Sequence, residues 1–255
     1  MTSFFGEGSP LTQNGFSAVN SANGIESAAL WAVLSVETSG CGYLPDRRPK
    51  ILFERHIFSK LTQGRYDSVA PDISAPTPGG YGDLGANQYS RLGAAIQLDS
   101  EAALQSASWG LGQIMGENFS AAGFPSADAM VAAMVASEDA QLAAMTTFVK
   151  SNGMVSALQQ HDWTGFARNY NGPNYAANNY DGKLQNFYQQ YVSGNTPDLQ
   201  VRAAQMYLTY KGFSPGPIDG VNGDSTLAAV EAFQTSIGEP ASGIIDDTLI
   251  ILLQM

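Results

Sequence analysis

Two carboxylates stand where acid–base chemistry could be done: Glu37, in the string SVETSG, and Glu54, in FERH. Glu37 falls in the last turn of an apolar stretch that reads as a helix, and two effects there act in one direction. Apolar surroundings disfavour a bare carboxylate, and so does the negative end of a helix dipole. Both raise the pKa, and a carboxylic acid kept protonated near neutral pH can protonate the leaving oxygen of a glycosidic bond. The same position equally suits a solvent-exposed glutamate at a fraying helix end. Glycosidic chemistry uses a second carboxylate, about 5–5.5 Å away in retaining enzymes and about 6.5–9.5 Å away in inverting ones. Glu54 lies on a short extended segment and is one candidate, with an ion pair to Arg47, Arg48 or Arg55 as the alternative reading. Asp67, Asp72 and Asp83, in a loop-rich stretch, are others. A thiol–imidazole pair, Cys41 with His56, would instead suit a cysteine peptidase. The text around Cys41, TSGCGYLP, reads as a loop, His56 as a structural histidine, and His161 as a helix-end residue.

Several elements must position these groups. Asn23, with Glu26 three residues on, reads as a capping box opening a helix from Gly24 to Thr38. Ile25, Ala29, Ala32, Val33 and Val36 recur along it at helical spacing, and Gly40 can close it in a left-handed turn. Ile51-Leu52-Phe53 has strand character. The stretch from Gln63 to Gly93 is rich in proline and glycine and reads as loop. Beyond it, helical text dominates: one segment beginning at Trp109–Met115, one long helix from Ser126 to about Lys150, and two more over Met154–His161 and Asn174–Tyr191. This predicts a mainly α fold with a small β or loop excursion. Residues 1–18 read as a polar lead-in, 19–192 as one domain, 193–197 as a linker and 198–255 as a small second domain of three helices.

Composition narrows the function classes. Hydrophobic residues make up 44% and charged ones 14%, enough apolar text for a packed core. A net charge of −11 argues against nucleic acid, where a basic footprint supplies most of the affinity. It also disfavours adhesion to anionic membranes, and no stretch is long and apolar enough to span a bilayer. One cysteine excludes an internal disulfide, and two histidines make a structural zinc site improbable, so no metal or cofactor is expected. The N-terminal text has neither a basic n-region nor an apolar h-region, so no signal peptide is expected.

Four strings in order carry a resemblance over most of 24–191: ETSG at 37–40, RPKILFERHIF at 48–58, ASWGLGQIMG at 107–116 and ARNYNGP at 167–173. Together they resemble the lysozyme-like superfamily, and in particular the phage N-acetylmuramidase endolysins. The resemblance implies a lysozyme-like catalytic domain with Glu37 as general acid. It places Ser108, Gln113 and Tyr170 along a glycan cleft, with Asn171 and Gly172 shaping the wall beside Tyr170. It makes Glu54 the best candidate for the second carboxylate. The bland readings are a packed segment with Trp109, Leu111 and Ile114 in the core, and an ordinary core aromatic at Tyr170.

In 198–255, the strings DSTL (224–227) and DDTL (246–249) each follow a glycine-containing loop and each read as helix N-cap text. Val201, Leu208, Leu227, Val230 and Phe233 would form a small core. The Gly-x-Asp-Gly-x-x-Gly-x-x-Thr text at 217–226, which has Pro217 in place of the first glycine, resembles the type 1 peptidoglycan-binding module, as does Phe233-Gln234. That resemblance implies a wall-binding groove near Tyr210, Asp219 and Asn222.

The expectation is an endolysin that cuts the β-1,4 bond between N-acetylmuramic acid and N-acetylglucosamine. Its partner would be bacterial peptidoglycan, with no nucleic acid and no stable membrane insertion, and it would act as a monomer. It would gather in the host cytoplasm and reach the wall on release. Rival readings are a lytic transglycosylase, in which the sugar's own 6-hydroxyl attacks, a non-catalytic wall-binding virion protein, and a wall peptidase using Cys41.

Overall fold

A computed structural model describes residues 4–194 and 196–255; residues 1–3 of the expected lead-in and Asn195 of the expected linker lie outside the described residues. In chain order the elements are α1 (Gln13–Asn23), α2 (Ser27–Thr38), β1 (Ile51–Phe53), α3 (Arg55–Leu61), α4 (Gln88–Leu98) and α5 (Ser100–Gln105). There follow β2 (Ala107–Trp109), β3 (Ile114–Met115), α6 (Ala127–Ala136), α7 (Glu138–Ser151), α8 (Val155–Gln159) and α9 (Trp163–Tyr170). The chain ends with α10 (Tyr180–Val192), α11 (Leu199–Tyr210), α12 (Asp224–Ser236) and α13 (Asp247–Gln254). These make two compact units. One takes in the described part of Met1–Gly8, with Gly42–Leu44 and Arg48–Met154; the other takes in Ser9–Cys41, Pro45–Arg47 and Val155–Met255.

The first unit holds the small sheet, antiparallel in the order β1-β2-β3. Ile51 pairs with Trp109, Leu52 with Ser108, and Trp109 with Ile114. The helix expected to begin at Trp109 is therefore a hairpin. Gly110 (φ 65°) and Gln113 (φ 48°) both take left-handed backbone, which a helix cannot accommodate but a tight strand connection requires. Trp109, Leu111 and Ile114 are buried, as the packing alternative expected. The long helix expected from Ser126 to Lys150 is interrupted as well. Ser137 is extended (φ −162°, ψ 158°), and its hydroxyl accepts from Ala140 N, so the side chain caps a new helix instead of continuing the old one.

Helix α7 anchors the hairpin through two buried polar side chains. Gln141 accepts from Leu111 N (2.7 Å) and donates to Met134 O (2.7 Å), while Glu138 accepts from Gly42 N (2.8 Å). Backbone approaches this helix so closely that a Cβ at Gly110 or Gly42 would collide with Gln141. Gln88 does the same for the loop-rich excursion. Buried in α4, it accepts from Phe53 N (3.0 Å) and donates to Tyr81 O and Asp83 O (2.8 and 2.7 Å).

The second unit is all helical. In α2 every residue from Ala28 to Leu34 is buried, so the helix is enclosed on all sides rather than along the single expected stripe. Its extensive partner is α10, with Ser35 Oγ and Tyr191 Oη 2.6 Å apart between them. Phe16 of α1 stacks on Trp31 at 5.0 Å. The lead-in thus contains a helix that the sequence reading missed, because only Phe16 and Val19 along α1 are buried and its apolar pattern is thin. The capping box at Asn23 does not form. Asn23 donates to Val19 O, α2 begins after Glu26, and the Glu26 carboxylate lies 2.6 Å from His161 Nε2.

Helices α11–α13 enclose their own core of Leu208, Val230, Phe233, Leu249 and Leu253, with Ala204, Tyr207 and Ala229. Two expected members fall outside it: Val201 is half-buried, and Leu227 is 39% exposed beside the Gly243 backbone. Asp246 caps α13 by accepting from Leu249 N (2.9 Å). Asp224, by contrast, is the first residue of α12 rather than its cap, where its charge still complements the positive end of the helix.

Candidate active site

Glu37 sits in the last turn of α2, and the chain leaves that helix through two successive left-handed residues. Ser39 (φ 55°) and Gly40 (φ 80°) direct their amides back to Ser35 O (3.2 Å) and Leu34 O (3.3 Å), which closes the helix in a left-handed αL turn. The first left-handed position is taken by serine rather than the expected glycine, a conformation that costs a non-glycine residue about 1–2 kcal/mol. A stop this abrupt leaves Glu37 at the rim of an otherwise buried helix.

Part of the Glu37 side chain stays accessible, while protein atoms crowd the rest. Burial pushes its pKa up from 4.5 to about 7, and a hydrogen bond from Asn171 opposes part of that rise. The bond runs from Asn171 Nδ2 to Glu37 Oε1 at 3.0 Å. Asn171 lies directly after α9, where it ends that helix with its amide on Ala167 O. Tyr170 precedes it, its ring stacked on Phe166 at 5.1 Å. Burial, then Glu37, then Tyr180 push the Tyr170 hydroxyl well above its ordinary pKa, so it stays a neutral donor. Glu37, Tyr170 and Asn171 are therefore brought together by two helix ends of the second unit. The arrangement can hold a proton near neutral pH on an accessible carboxyl and deliver it.

Glu54, Ser108 and Gln113 belong to the first unit. Glu54 follows β1 and precedes α3, with its amide on Ser106 O (2.8 Å). Its partner is none of the three expected arginines. His56 Nδ1 lies 3.2 Å from Glu54 Oε2, and the Tyr81 hydroxyl bonds to the carboxylate. Arg48 instead lies over the Tyr89 ring (4.2 Å), Arg47 over the Tyr210 ring (5.2 Å), and Arg55 reaches Pro71 O. Burial raises the Glu54 pKa, while the His56 charge and the Tyr81 and His56 bonds pull it down. Burial also raises the pKa of Tyr81, and the charge of Glu54 adds to it. Of the alternative carboxylates, Asp67 is occupied in holding Ser59 (3.0 Å) and Ser74 (2.5 Å), and Asp72 lies by Arg91. Ser108 Oγ donates to Gln113 Oε1 (2.8 Å), and Gln113 Nε2 donates to Gly110 O (2.8 Å) and Lys50 O (3.3 Å). The two expected cleft residues thus brace the hairpin that presents them.

In the three-helix part, Asp219 Oδ1 accepts from Val221 N (2.9 Å) and Gln205 Nε2 (3.1 Å). Gln205, buried in α11, also bonds Gly220 N, Val221 O and Thr226 Oγ1, and so ties down the glycine-rich loop around Asp219 and Asn222. Tyr210 meets Tyr207 edge-on at 6.1 Å. Cys41 is buried and in no disulfide, and among the described residues no group of His, Cys, Asp and Glu side chains could hold a metal ion. Among them, too, no helix is long and apolar enough to cross a membrane.

Five structural side chains escaped the sequence reading: Gln88, Glu138, Gln141, Arg202 and Gln205, all fully buried or nearly so. Each is a long polar residue on a helix whose other buried positions are largely apolar or small. That is a detectable pattern, but it does not say which distant backbone the side chain will meet.

Comparison with known proteins bears on these sites. Residues 26–192 match the N-acetylmuramidase family, and residues 197–253 match a peptidoglycan binding domain. Among solved structures, the chain is similar to the crystal structure of the Burkholderia AP3 phage endolysin, with 39% identity and a TM-score of 0.65. That match covers 72% of this chain and 73% of the other. No curated protein matches the chain.

Proposed function

The chain belongs to the N-acetylmuramidase family, and from that premise we propose that Glu37 is the general acid with which it cleaves the β-1,4 bond between N-acetylmuramic acid and N-acetylglucosamine. The chain is a glycoside hydrolase acting on peptidoglycan, with a lysozyme-like domain followed by a peptidoglycan-binding domain. The observation that carries the assignment of the acid is the Glu37 carboxyl. It is accessible yet crowded, bonded to Asn171, and protonated up to about pH 7. Protonated, it donates to the glycosidic oxygen as the bond to the anomeric carbon breaks, and the leaving sugar departs as a neutral alcohol. Glu54 is the second carboxylate in this reading. Burial raises its pKa, His56 and Tyr81 oppose that rise, and it is the ionised form that would activate a water molecule. Ser108 and Gln113 in the first unit, and Tyr170 and Asn171 in the second, are the glycan-binding residues of this reading, and Tyr210, Asp219 and Asn222 those of the wall-binding domain.

We take 19–192 as the catalytic part, 198–255 as the binding part and 193–197 as their link. The whole acts as a monomeric phage lysis enzyme, held in the host cytoplasm until released to the wall.

The test is mass spectrometry of purified peptidoglycan digested by the natural chain and by Glu37→Gln. Muropeptides with reducing muramic ends, absent with the variant, are expected. Products with 1,6-anhydro ends would make the enzyme a lytic transglycosylase. Peptide-bond cleavage, or undiminished activity in the variant, would remove Glu37 from the role of acid.

A further inference from the structure

Arg202 is the one arginine of α11, and it is completely buried in the second unit. Both its Nε (2.7 Å) and Nη2 donate to a single acceptor, the carbonyl of Gly40. Gly40 is the second left-handed residue of the turn that ends α2, three positions beyond Glu37. The same guanidinium lies 5.9 Å from the Trp31 ring centre, two turns back on α2. The amides of Ser39 and Gly40 already tie the turn back to Ser35 O and Leu34 O, but they leave the Gly40 carbonyl to be held from outside the helix. Ser39 and Gly40 line a cavity of about 240 Å³, together with Trp31, Ser35, Tyr191 and Asp219. On that side the Gly40 carbonyl is held by directed bonds, those from Arg202. A planar fork with two donors on one oxygen fixes both distance and direction, which a flexible ammonium cannot.

We infer that Arg202 is a positioning residue for the reaction: by gripping the Gly40 carbonyl it fixes the end of the helix that presents Glu37, so the wall-binding domain helps to set the acid as well as to adhere. This rests on Glu37 being the acid. Loosening the turn lets water reach Glu37 and misaligns its carboxyl, so turnover falls while substrate affinity stays. Tyr170 of α9 faces Glu37 and stays neutral through this pH range, so it does not add a limb of its own to the profile.

The experiment compares the full chain with Arg202→Met and Arg202→Lys on soluble peptidoglycan fragments, measuring kcat and KM across pH. Wall adhesion is measured in parallel in a Glu37→Gln background. For Arg202→Met we expect kcat to fall by about tenfold or more with KM nearly constant. The alkaline limb of its profile should move to lower pH, because an acid whose raised pKa relaxes toward 4.5 loses its proton earlier. Arg202→Lys should restore part of kcat, and adhesion should persist in both. Asp198→Ala removes the cap of the same helix, where Asp198 accepts from Gln200 N and Val201 N, without touching Gly40. It should lower thermal stability and leave the pH limb in place.

Unchanged kcat and pH profile in Arg202→Met would overturn the inference, and so would loss of adhesion alone. An equal shift in Asp198→Ala would overturn it too, by showing that any destabilisation suffices. If Arg202→Met fails to fold, Arg202→Lys and Arg202→Gln decide by the same readouts. Should Glu37→Gln remain active, the assignment of the acid fails regardless of Arg202. Should Glu37→Gln be inactive and the Arg202 variants behave as the natural chain, only the present inference fails.

Discussion

Glu37 is held between two opposing influences, burial that keeps its proton and an amide that favours its release. Taking away the amide should therefore have a definite sign. Asn171→Ala removes a bond to the carboxylate and raises the pKa further, so the alkaline limb of the pH–rate profile is expected to move to higher pH as kcat falls. A limb moving to lower pH would contradict the assigned role of Asn171. The raised pKa also has a stability consequence. Between about pH 4.5 and about 7 the native chain keeps a proton that the unfolded chain has released, so stability falls as pH rises through that window. Glu37→Gln eliminates the effect and should gain stability over the natural chain above pH 7, by at most about 3 kcal/mol, with little difference below pH 4.5. Urea unfolding of both at the two extremes checks this. At this scale the sequence was informative: an acid at the end of an apolar helix announces a raised pKa through its position. The opposing amide, carried 134 residues away, is invisible until the fold brings it back.

Among the elements, the hairpin β2–β3 shows why glycines recur in ASWGLGQIMG. Gly110 is left-handed, and at Gly116 a Cβ would strike the Leu104 carbonyl, which is backbone and cannot swing aside. Gly116→Ala is therefore expected to destabilise by at least about 2 kcal/mol, read as a lower urea midpoint, although it touches no candidate catalytic group. The reading of this segment as a helix followed apolar spacing and underweighted those glycines. The single helix expected over 126–150 failed for a related reason. Ser137 is compatible with a helix interior by propensity, but its backbone is extended and its side chain caps Ala140 N, which breaks the run. Where local chemistry is self-contained, as at Ile51–Phe53 or the Asp246 cap, the sequence reading and the structure agree. Where a buried glutamine selects a distant carbonyl, as Gln88 and Gln141 do, no local pattern could have shown it.

On the scale of the whole molecule, the compact units do not follow chain order: α1 and α2 share a unit with everything after residue 154. Helices α2, α10 and α11 should accordingly open together. Their amides are expected to exchange hydrogen with a common protection factor under native conditions. A fast-exchanging α11 beside a protected α2 would show instead that the two parts open independently. The same interleaving has a consequence for how the enzyme comes into being. The contacts that complete the Glu37 helix come from Asn171, Tyr191 and Arg202, which lie 134, 156 and 162 residues downstream of their partners. On the ribosome Glu37 is made early and its surroundings late. A nascent or prematurely terminated chain that stops short of Arg202 has Glu37 in its sequence but not its finished setting.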